Sequence, residues 1–141
     1  MKVKITQRNL YENLTVWKKN PPKTVLERIA LAINAVPRDV YTILEVGCGN
    51  GLLINGLKDA GYDPVACDIS INALRQIQKG RRVQADAENL PFTTGEFDLV
   101  FACELLEHIP ALFFDKVLKE ISRVSQKYIV ITTPYQEKLE I

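Results

Sequence analysis

Residues 43–51 read ILEVGCGNG, and this stretch decides the fold. Residues 41–46 form a short run of apolar and β-branched side chains, typical of a buried strand, and the run stops at Gly47. Residues 52–60 then have the apolar spacing of a helix, which Gly61 closes. The sequence therefore predicts a strand, a glycine-rich loop and a helix, in that order.

The same alternation continues along the rest of the chain. Helices are predicted from an N-cap at Ser70 to a stop at Gly80, and again over residues 112–124. Four further apolar runs predict strands at residues 64–68, 83–85, 97–102 and 128–132. Apolar strands that alternate with helices indicate a parallel sheet covered on both faces. We therefore expect a doubly wound α/β fold with a mainly parallel, five-stranded sheet.

Two amphipathic helices are predicted ahead of this core. Residues 7–20 place Leu10, Leu14 and Trp17 at helical spacing, and residues 25–36 repeat the pattern up to Pro37. We expect one domain over residues 1–141, with N-terminal helices over 1–40 and the ligand-binding core over 41–135.

Length and composition exclude several classes of protein. The chain has 141 residues, of which 47% are hydrophobic and 25% charged, far from collagen-like, disordered or coiled-coil compositions. No apolar run reaches the ~18 residues of a membrane-spanning helix, and the first residues do not resemble a signal peptide. Basic side chains outnumber acidic ones over residues 1–40, which we interpret as a solvated helix face. These features predict a cytoplasmic protein without a membrane span.

The three cysteines lie at the ends of predicted strands. Cys48, Cys67 and Cys103 lack the paired close spacing of zinc ligands, and their odd number argues against a disulfide framework. We expect no metal site and interpret the cysteines as small apolar residues near a ligand.

The glycine loop favours a ligand without phosphates. Its spacing is G-x-G-x-G, whereas the dinucleotide fingerprint needs a glycine where this chain has Leu52. Glu45 lies two residues before the first glycine, where a carboxylate would repel a phosphate but could bind an ammonium group. Asp68 ends the second strand near the offset at which an acid meets ribose hydroxyls. Asp86 ends the third strand, where it either contacts a ligand or caps a turn.

With these residues in place, the chain resembles the class I S-adenosylmethionine (SAM)-dependent methyltransferases, in particular the quinone-biosynthesis-like group with a type 11 methyltransferase domain. The resemblance implies a Rossmann-like fold. Five segments carry it, in the family's order and spacing: ILEVGCGNG at 43–51, VACDIS at 65–70, ADAENLPF at 85–92, FDLVFACELLEHI at 97–109 and YIVITTPY at 128–135.

The resemblance also implies a role for each matching position. Glu45 and the loop backbone would hold the methionine end of SAM, Asp68 the ribose, and Asp86 the adenine amino group. Ala87 would offer its amide to the adenine ring. The positions that would bind SAM or the product S-adenosylhomocysteine are Glu45, Gly47, Cys48, Gly49, Gly51, Asp68, Ile69, Asp86, Ala87 and Cys103.

The residues after the fourth strand face the expected acceptor side. Glu104, Glu107 and His108 lie there, and a histidine beside a glutamate could act as a general base. The simpler alternative is a tight turn over residues 105–108 that belongs to the scaffold. We therefore expect methyl transfer to an unidentified acceptor, with Glu107 and His108 as the catalytic candidates.

Two other functions compete with methyl transfer. A non-catalytic SAM-binding or scaffolding module that needs a partner chain is the first alternative. A nicotinamide-dependent oxidoreductase is disfavoured by Leu52 and Glu45. The family's sheet usually continues with a helix and an antiparallel hairpin, yet the sequence stops at Ile141, six residues after Tyr135. We therefore expect a C-terminally short domain whose last strand is covered by a partner chain or by a second copy.

Overall fold

The structure is a computed structural model that describes residues 2–8 and 23–135. Its strands are β1 (Lys2–Arg8), β2 (Ile43–Val46), β3 (Val65–Asp68), β4 (Arg82–Gln84), β5 (Phe97–Cys103) and β6 (Ser125–Tyr135). Its helices are α1 (Lys23–Asn34), α2 (Leu52–Asp59), α3 (Ile71–Arg75) and α4 (Ala111–Val124), and a 3₁₀ turn covers Leu106–His108. The strands form one sheet in the order β1-β6-β5-β2-β3-β4, and every neighbouring pair is parallel. The predicted doubly wound α/β fold is confirmed.

The central strands are buried on both faces, and their side chains alternate between two hydrophobic clusters. Ile43 of β2 lies opposite Leu99 of β5 and belongs to the hydrophobic cluster that α1 and α2 cover. The next residue, Leu44, belongs to the opposite cluster, which includes Val117 and Ile121 of α4. The continuous apolar runs in the sequence therefore correspond to strands in the middle of three layers.

A close contact between α1 and α2 is possible because Gly56 has no side chain. A Cβ atom at Gly56 would lie 2.7 Å from Ile33 Cδ1 and 3.1 Å from Ile29 Cγ2. Both isoleucines belong to α1. The two helices can therefore approach with the side chains of α1 directly on the backbone of α2.

The N-terminal segment differs from the prediction. Residues 7 and 8, which the sequence suggested as the start of a helix, end strand β1, and residues 9–22 lie outside the described residues. Strand β1 pairs with β6 in parallel, with Lys2 opposite Ile129 and Arg8 opposite Tyr135. The alternation of apolar and polar residues in KVKITQR carries this signal. The edge of β6 is therefore covered by the chain itself, and β1 is the outer strand.

Helix α3 is shorter than predicted. Its N-cap is confirmed, since the Ala73 amide donates to Ser70 Oγ at 3.2 Å. The helix ends at Arg75, well before Gly80. The guanidinium group of Arg82 donates to the carbonyl oxygens of Leu74 and Ile77, which a longer helix would have used for its own hydrogen bonds. A side chain from β4 thus ends the helix.

None of the helices in the part of the chain that the structure describes has the length and apolar character needed to cross a membrane.

Candidate SAM-binding site

A cavity of about 410 Å³ opens at the carboxyl ends of β2, β3 and β5. Its volume lies within the range of small-molecule sites, ~300–1,000 Å³. Helix α1 forms one wall, and the loops after the strands form the others. Most of the predicted cofactor-binding residues line it together: Glu45, Gly47, Cys48, Gly49, Asp68, Ile69, Asp86, Ala87 and Cys103.

The glycine loop after β2 bends over the end of β3. The amides of Gly47 and Cys48 both donate to the carbonyl oxygen of Cys67, at 2.8 and 3.0 Å. Gly47 and Gly49 have φ values of 75° and 54°, which favour glycine. A Cβ atom at Gly47 would lie 2.9 Å from Leu105 Cδ1, so this position also lacks room for a side chain.

Gly51 is the predicted site residue that does not line the cavity. It precedes α2 with a φ of 83°, and its carbonyl oxygen accepts from the Asn55 amide at 2.8 Å. A Cβ atom there would lie 2.6 Å from Ile77 Cγ1. Gly51 is therefore required for the turn and for packing against Ile77, and it does not line the cavity.

Glu45 is a buried carboxylate in the wall of the cavity. It is 4% exposed, and its Oε2 atom has no hydrogen-bond partner among the described residues. Burial raises the pKa of this carboxyl well above its usual value, and the nearby charge of Asp68 raises it further. A carboxylate buried in this way is costly unless a donor or a positive charge reaches it, so Glu45 is suited to bind a cationic group of a ligand.

Asp68 connects the end of β3 to the glycine loop. Its Oδ2 atom accepts from the Gly49 amide at 2.9 Å, and its Oδ1 atom accepts from the Ser70 amide at 2.8 Å. Ile69 lines the cavity beside it with 65% of its surface exposed. An apolar side chain so exposed at the cavity wall offers a surface for a flat, apolar part of a ligand.

Asp86 caps a turn, which is one of the two roles that the sequence left open. Its Oδ1 atom accepts from the Glu88 amide at 2.9 Å, and its carbonyl oxygen accepts from the Asn89 amide at 2.9 Å, so it caps a turn. The residue also lines the cavity, next to the buried Ala87.

Arginine, glutamate and histidine side chains also line the cavity, and the sequence predicted only some of them. Arg28 of α1, Glu104 and His108 line the cavity, and Arg28 Nη1 lies 3.8 Å from Glu104 Oε1. Arg28 was not predicted, because nothing in the helical pattern of residues 25–36 separates it from a solvated arginine. The 3₁₀ turn confirms the predicted turn over residues 105–108. The catalytic roles of Glu107 and His108 stay predictions.

The three cysteines are free thiols with limited exposure. Burial raises the pKa of the Cys48, Cys67 and Cys103 thiols, that of Cys67 to about 12. Cys48 and Cys103 line the cavity, whereas Cys67 lies beneath it in the core. Over residues 2–8 and 23–135, no group of His, Cys, Asp and Glu side chains is arranged to hold a metal ion.

The fold is that of a known protein family. The model of the family described as "Methyltransferase domain" matches residues 44–128, more than half of the chain. The chain therefore belongs to this family, the class I SAM-dependent methyltransferases that the sequence motifs indicated.

Two proteins from other organisms are similar to this chain over part of their length. The chain is 34% identical over 102 residues to an uncharacterized protein of Methanocaldococcus jannaschii. The aligned region covers 71% of this chain and 43% of that protein. It is 33% identical over 81 residues to the ubiquinone biosynthesis O-methyltransferase of Pseudomonas paraeruginosa, covering 49% of this chain and 34% of that enzyme. The chain thus spans less than half the length of these relatives.

A solved structure shows the same fold. The SAM-dependent methyltransferase of Archaeoglobus fulgidus superposes with a TM-score of 0.70 at 20% identity, covering 84% of this chain and 56% of that one.

Proposed function

We propose that this chain binds SAM in the cavity at the carboxyl ends of β2, β3 and β5, and that the protein transfers the methyl group of SAM to an acceptor. Bound SAM would supply a methyl group on a positively charged sulfur. The chain's own residues would bind the cofactor, orient it and exclude water from it.

The observation that carries the proposal is the buried carboxylate of Glu45. Its Oε2 atom faces no donor among the described residues, although the side chain is 4% exposed. The ammonium group of the methionine end of SAM would supply both a positive charge and hydrogen-bond donors at this point. The residues present therefore fit the cofactor on a feature of this structure, independently of the family.

The remaining residues of the cavity fit the other parts of SAM. Asp68 would accept from the ribose hydroxyls, and Ile69 would cover the adenine. Asp86 and the backbone amide of Ala87 would meet the polar edge of the adenine. Cys103 would lie beside the cofactor at the end of β5. SAM carries no phosphate group, and this agrees with the acidic side chains that line the cavity.

The test is ligand-induced stabilisation. SAM and S-adenosylhomocysteine should each raise the melting temperature of the chain, because a ligand that binds only the folded state stabilises it by mass action. NADH, which carries a pyrophosphate, should not. The Glu45→Gln variant should lose most of the SAM-dependent shift, whereas Asp59→Asn, an exposed control on α2, should retain it. A larger shift with NADH than with SAM would overturn the proposal.

The non-catalytic alternative is separated from catalysis by turnover. A SAM-binding or scaffolding module would show the stabilisation but release no S-adenosylhomocysteine with any acceptor, alone or with a partner chain.

A cytoplasmic location also remains a prediction. A partner chain or second copy along the sheet is a further proposal, and its contact would now be with the outer strand β1.

A further inference from the structure

The residue after β5 holds a carboxylate in the cavity by an unusual backbone conformation. Glu104 has a φ of 54°, the one positive φ of a non-glycine residue among those the structure describes. Such a conformation costs free energy and persists only where the surroundings impose it. Here Thr132 of β6 imposes it: the Glu104 amide donates to the Thr132 carbonyl oxygen at 3.0 Å, and the Thr132 hydroxyl donates to Glu104 Oε1 at 3.1 Å.

Four groups surround this carboxylate, each from a different element. Arg28 faces it from α1 at 3.8 Å, Glu107 from the 3₁₀ turn, Thr132 from β6, and Cys103 precedes it on β5. His108 lines the same cavity. Burial raises the pKa of Glu104 to about 7, and the neighbouring charge of Glu107 contributes in the same direction. At neutral pH the carboxyl can therefore both accept and release a proton.

The charge of Arg28 beside Glu104 favours a neutral acceptor over a cationic one. The guanidinium group of Arg28 would repel an ammonium group brought to Glu104, whereas it would stabilise the negative charge that develops on an oxygen losing its proton. The adjoining wall is apolar and includes Val25, Ile29 and Ile109. An apolar molecule with a hydroxyl group would match both the charged and the apolar part of the cavity.

We propose that Glu104 is the catalytic base of this site, that Arg28 stabilises the developing oxyanion, and that the acceptor is an apolar molecule methylated on a hydroxyl group. This proposal rests on the proposed SAM-dependent function. In the step, the acceptor oxygen uses a lone pair to bond the methyl carbon. The carbon–sulfur bond breaks, and its electron pair remains on sulfur. The hydroxyl proton moves to the Glu104 carboxylate, which later releases it to water.

The first test follows the carboxyl itself and needs no acceptor. In the complex with S-adenosylhomocysteine, ¹³C NMR of labelled glutamate side chains should show a carboxyl signal that titrates near neutral pH and is absent in Glu104→Gln. In Glu107→Gln the same titration should move to lower pH, because a charge that raises the pKa of Glu104 has been removed. A spectrum in which no carboxyl titrates near neutral pH would overturn the proposal.

The second test separates a base from a merely structural residue. The acceptors are 4-methylphenol, whose hydroxyl has the pKa of about 10 of a tyrosine side chain, and 4-nitrophenol, which is largely ionised at about pH 8.5 and needs no base. Glu104→Gln keeps an oxygen for the Thr132 hydroxyl. It should slow methylation of 4-methylphenol by ~10²–10⁴-fold and that of 4-nitrophenol by less than about tenfold. SAM affinity should be unchanged by calorimetry, and Asp59→Asn should match the original chain throughout.

The outcomes separate the proposals. Equal losses with both phenols would make Glu104 structural and overturn its role as base. A chain that binds SAM but methylates neither phenol would overturn the hydroxyl class of acceptor. A chain that binds no SAM would overturn the proposed function itself.

Discussion

The backbone amide of Gly49 donates a 2.9 Å hydrogen bond to the carboxylate of Asp68, which lies at the end of the neighbouring strand. The other oxygen of the same carboxylate accepts from the Ser70 amide at 2.8 Å. Asp68 therefore shapes the glycine loop and the start of α3 before any ligand arrives. Its proposed contact with the ribose of SAM would add to this role.

Replacing Asp68 should therefore weaken both binding and folding. For Asp68→Ala we expect SAM binding to lose ~1.5–3 kcal/mol from the missing charge-assisted hydrogen bonds, together with a lower free energy of unfolding. Calorimetry and urea denaturation measure the two effects. Ser70→Ala is the matched control, because it removes the cap of α3 but leaves the Asp68 carboxylate. Unchanged SAM affinity in Asp68→Ala would refute the ribose contact.

Gly51 and Gly61 separate backbone strain from steric collision. Both have positive φ, 83° and 94°. A Cβ atom at Gly51 would lie 2.6 Å from Ile77 Cγ1, whereas a Cβ atom at Gly61 would point into open space among the described residues. Gly61→Ala should cost ~1–2 kcal/mol of unfolding free energy from the left-handed backbone. Gly51→Ala should cost a further ~1–3 kcal/mol from overpacking. Equal values in urea denaturation would show that Ile77 moves aside freely.

Acid stability should depend on Asp98, at the opposite end of the sheet from the site. Its Oδ2 atom accepts from the Tyr41 amide at 2.8 Å and the Thr42 amide at 3.2 Å, and Lys127 Nζ lies 3.4 Å from Oδ1. The hydrogen bond from Tyr41, followed by those from Thr42 and Lys127, lowers the pKa of Asp98 below its ordinary value of 3.8. A lowered pKa in the folded state means that the stabilisation is complete above the unfolded value and is lost as the pH falls through the folded one.

Asp98→Asn should therefore be destabilising at neutral pH, by ~1.5–3 kcal/mol. The difference from the original chain should shrink as the pH falls through the lowered pKa of Asp98, because the original carboxyl then becomes protonated as well. Urea denaturation at a series of pH values measures this. Asp59→Asn, on the exposed end of α2, should show no such trend. A difference that stays constant with pH would mean that the charge of Asp98 is not the source of its stabilisation.

The thiols should react slowly in the folded chain. Burial raises the pKa of all three, so little thiolate is present at neutral pH. We expect alkylation by iodoacetamide to be at least ~10-fold slower than in urea, because little thiolate forms in the folded chain and access to the sulfur atoms is limited. SAM should slow Cys103 further, since this residue lines the cavity, and should leave Cys67 unaffected. Mass spectrometry of the alkylated peptides distinguishes them, and faster alkylation of Cys103 with SAM would contradict its proposed place.

Local patterns predicted much of the fold and many of the residues that line the cavity. The strands, the Ser70 cap and the positions of Glu45, Asp68 and Asp86 follow from runs and spacings within a few residues, and parallel strands bring their ends to one edge. Arg28 could not be found in this way, because its meaning depends on the Glu104 carboxylate, which lies far along the chain. The end of α3 was missed for the same reason, since Arg82 of the next strand decides it. The role of Arg28 and the end of α3 each depend on a side chain from another element, which a local sequence pattern does not contain.

The missing side chain of Gly56 also sets the width of the cavity. Ile29 of α1 would lie 3.1 Å from a Cβ atom at Gly56, and the same isoleucine lines the cavity beside the proposed acceptor. A larger residue at this position would lift α1 and move that wall outward. Alanine is the better helix former by ~1 kcal/mol, so the gain in helix propensity would partly offset the collision. A substitution at position 56 could therefore widen the range of acceptor sizes without changing a residue that would contact SAM or the acceptor.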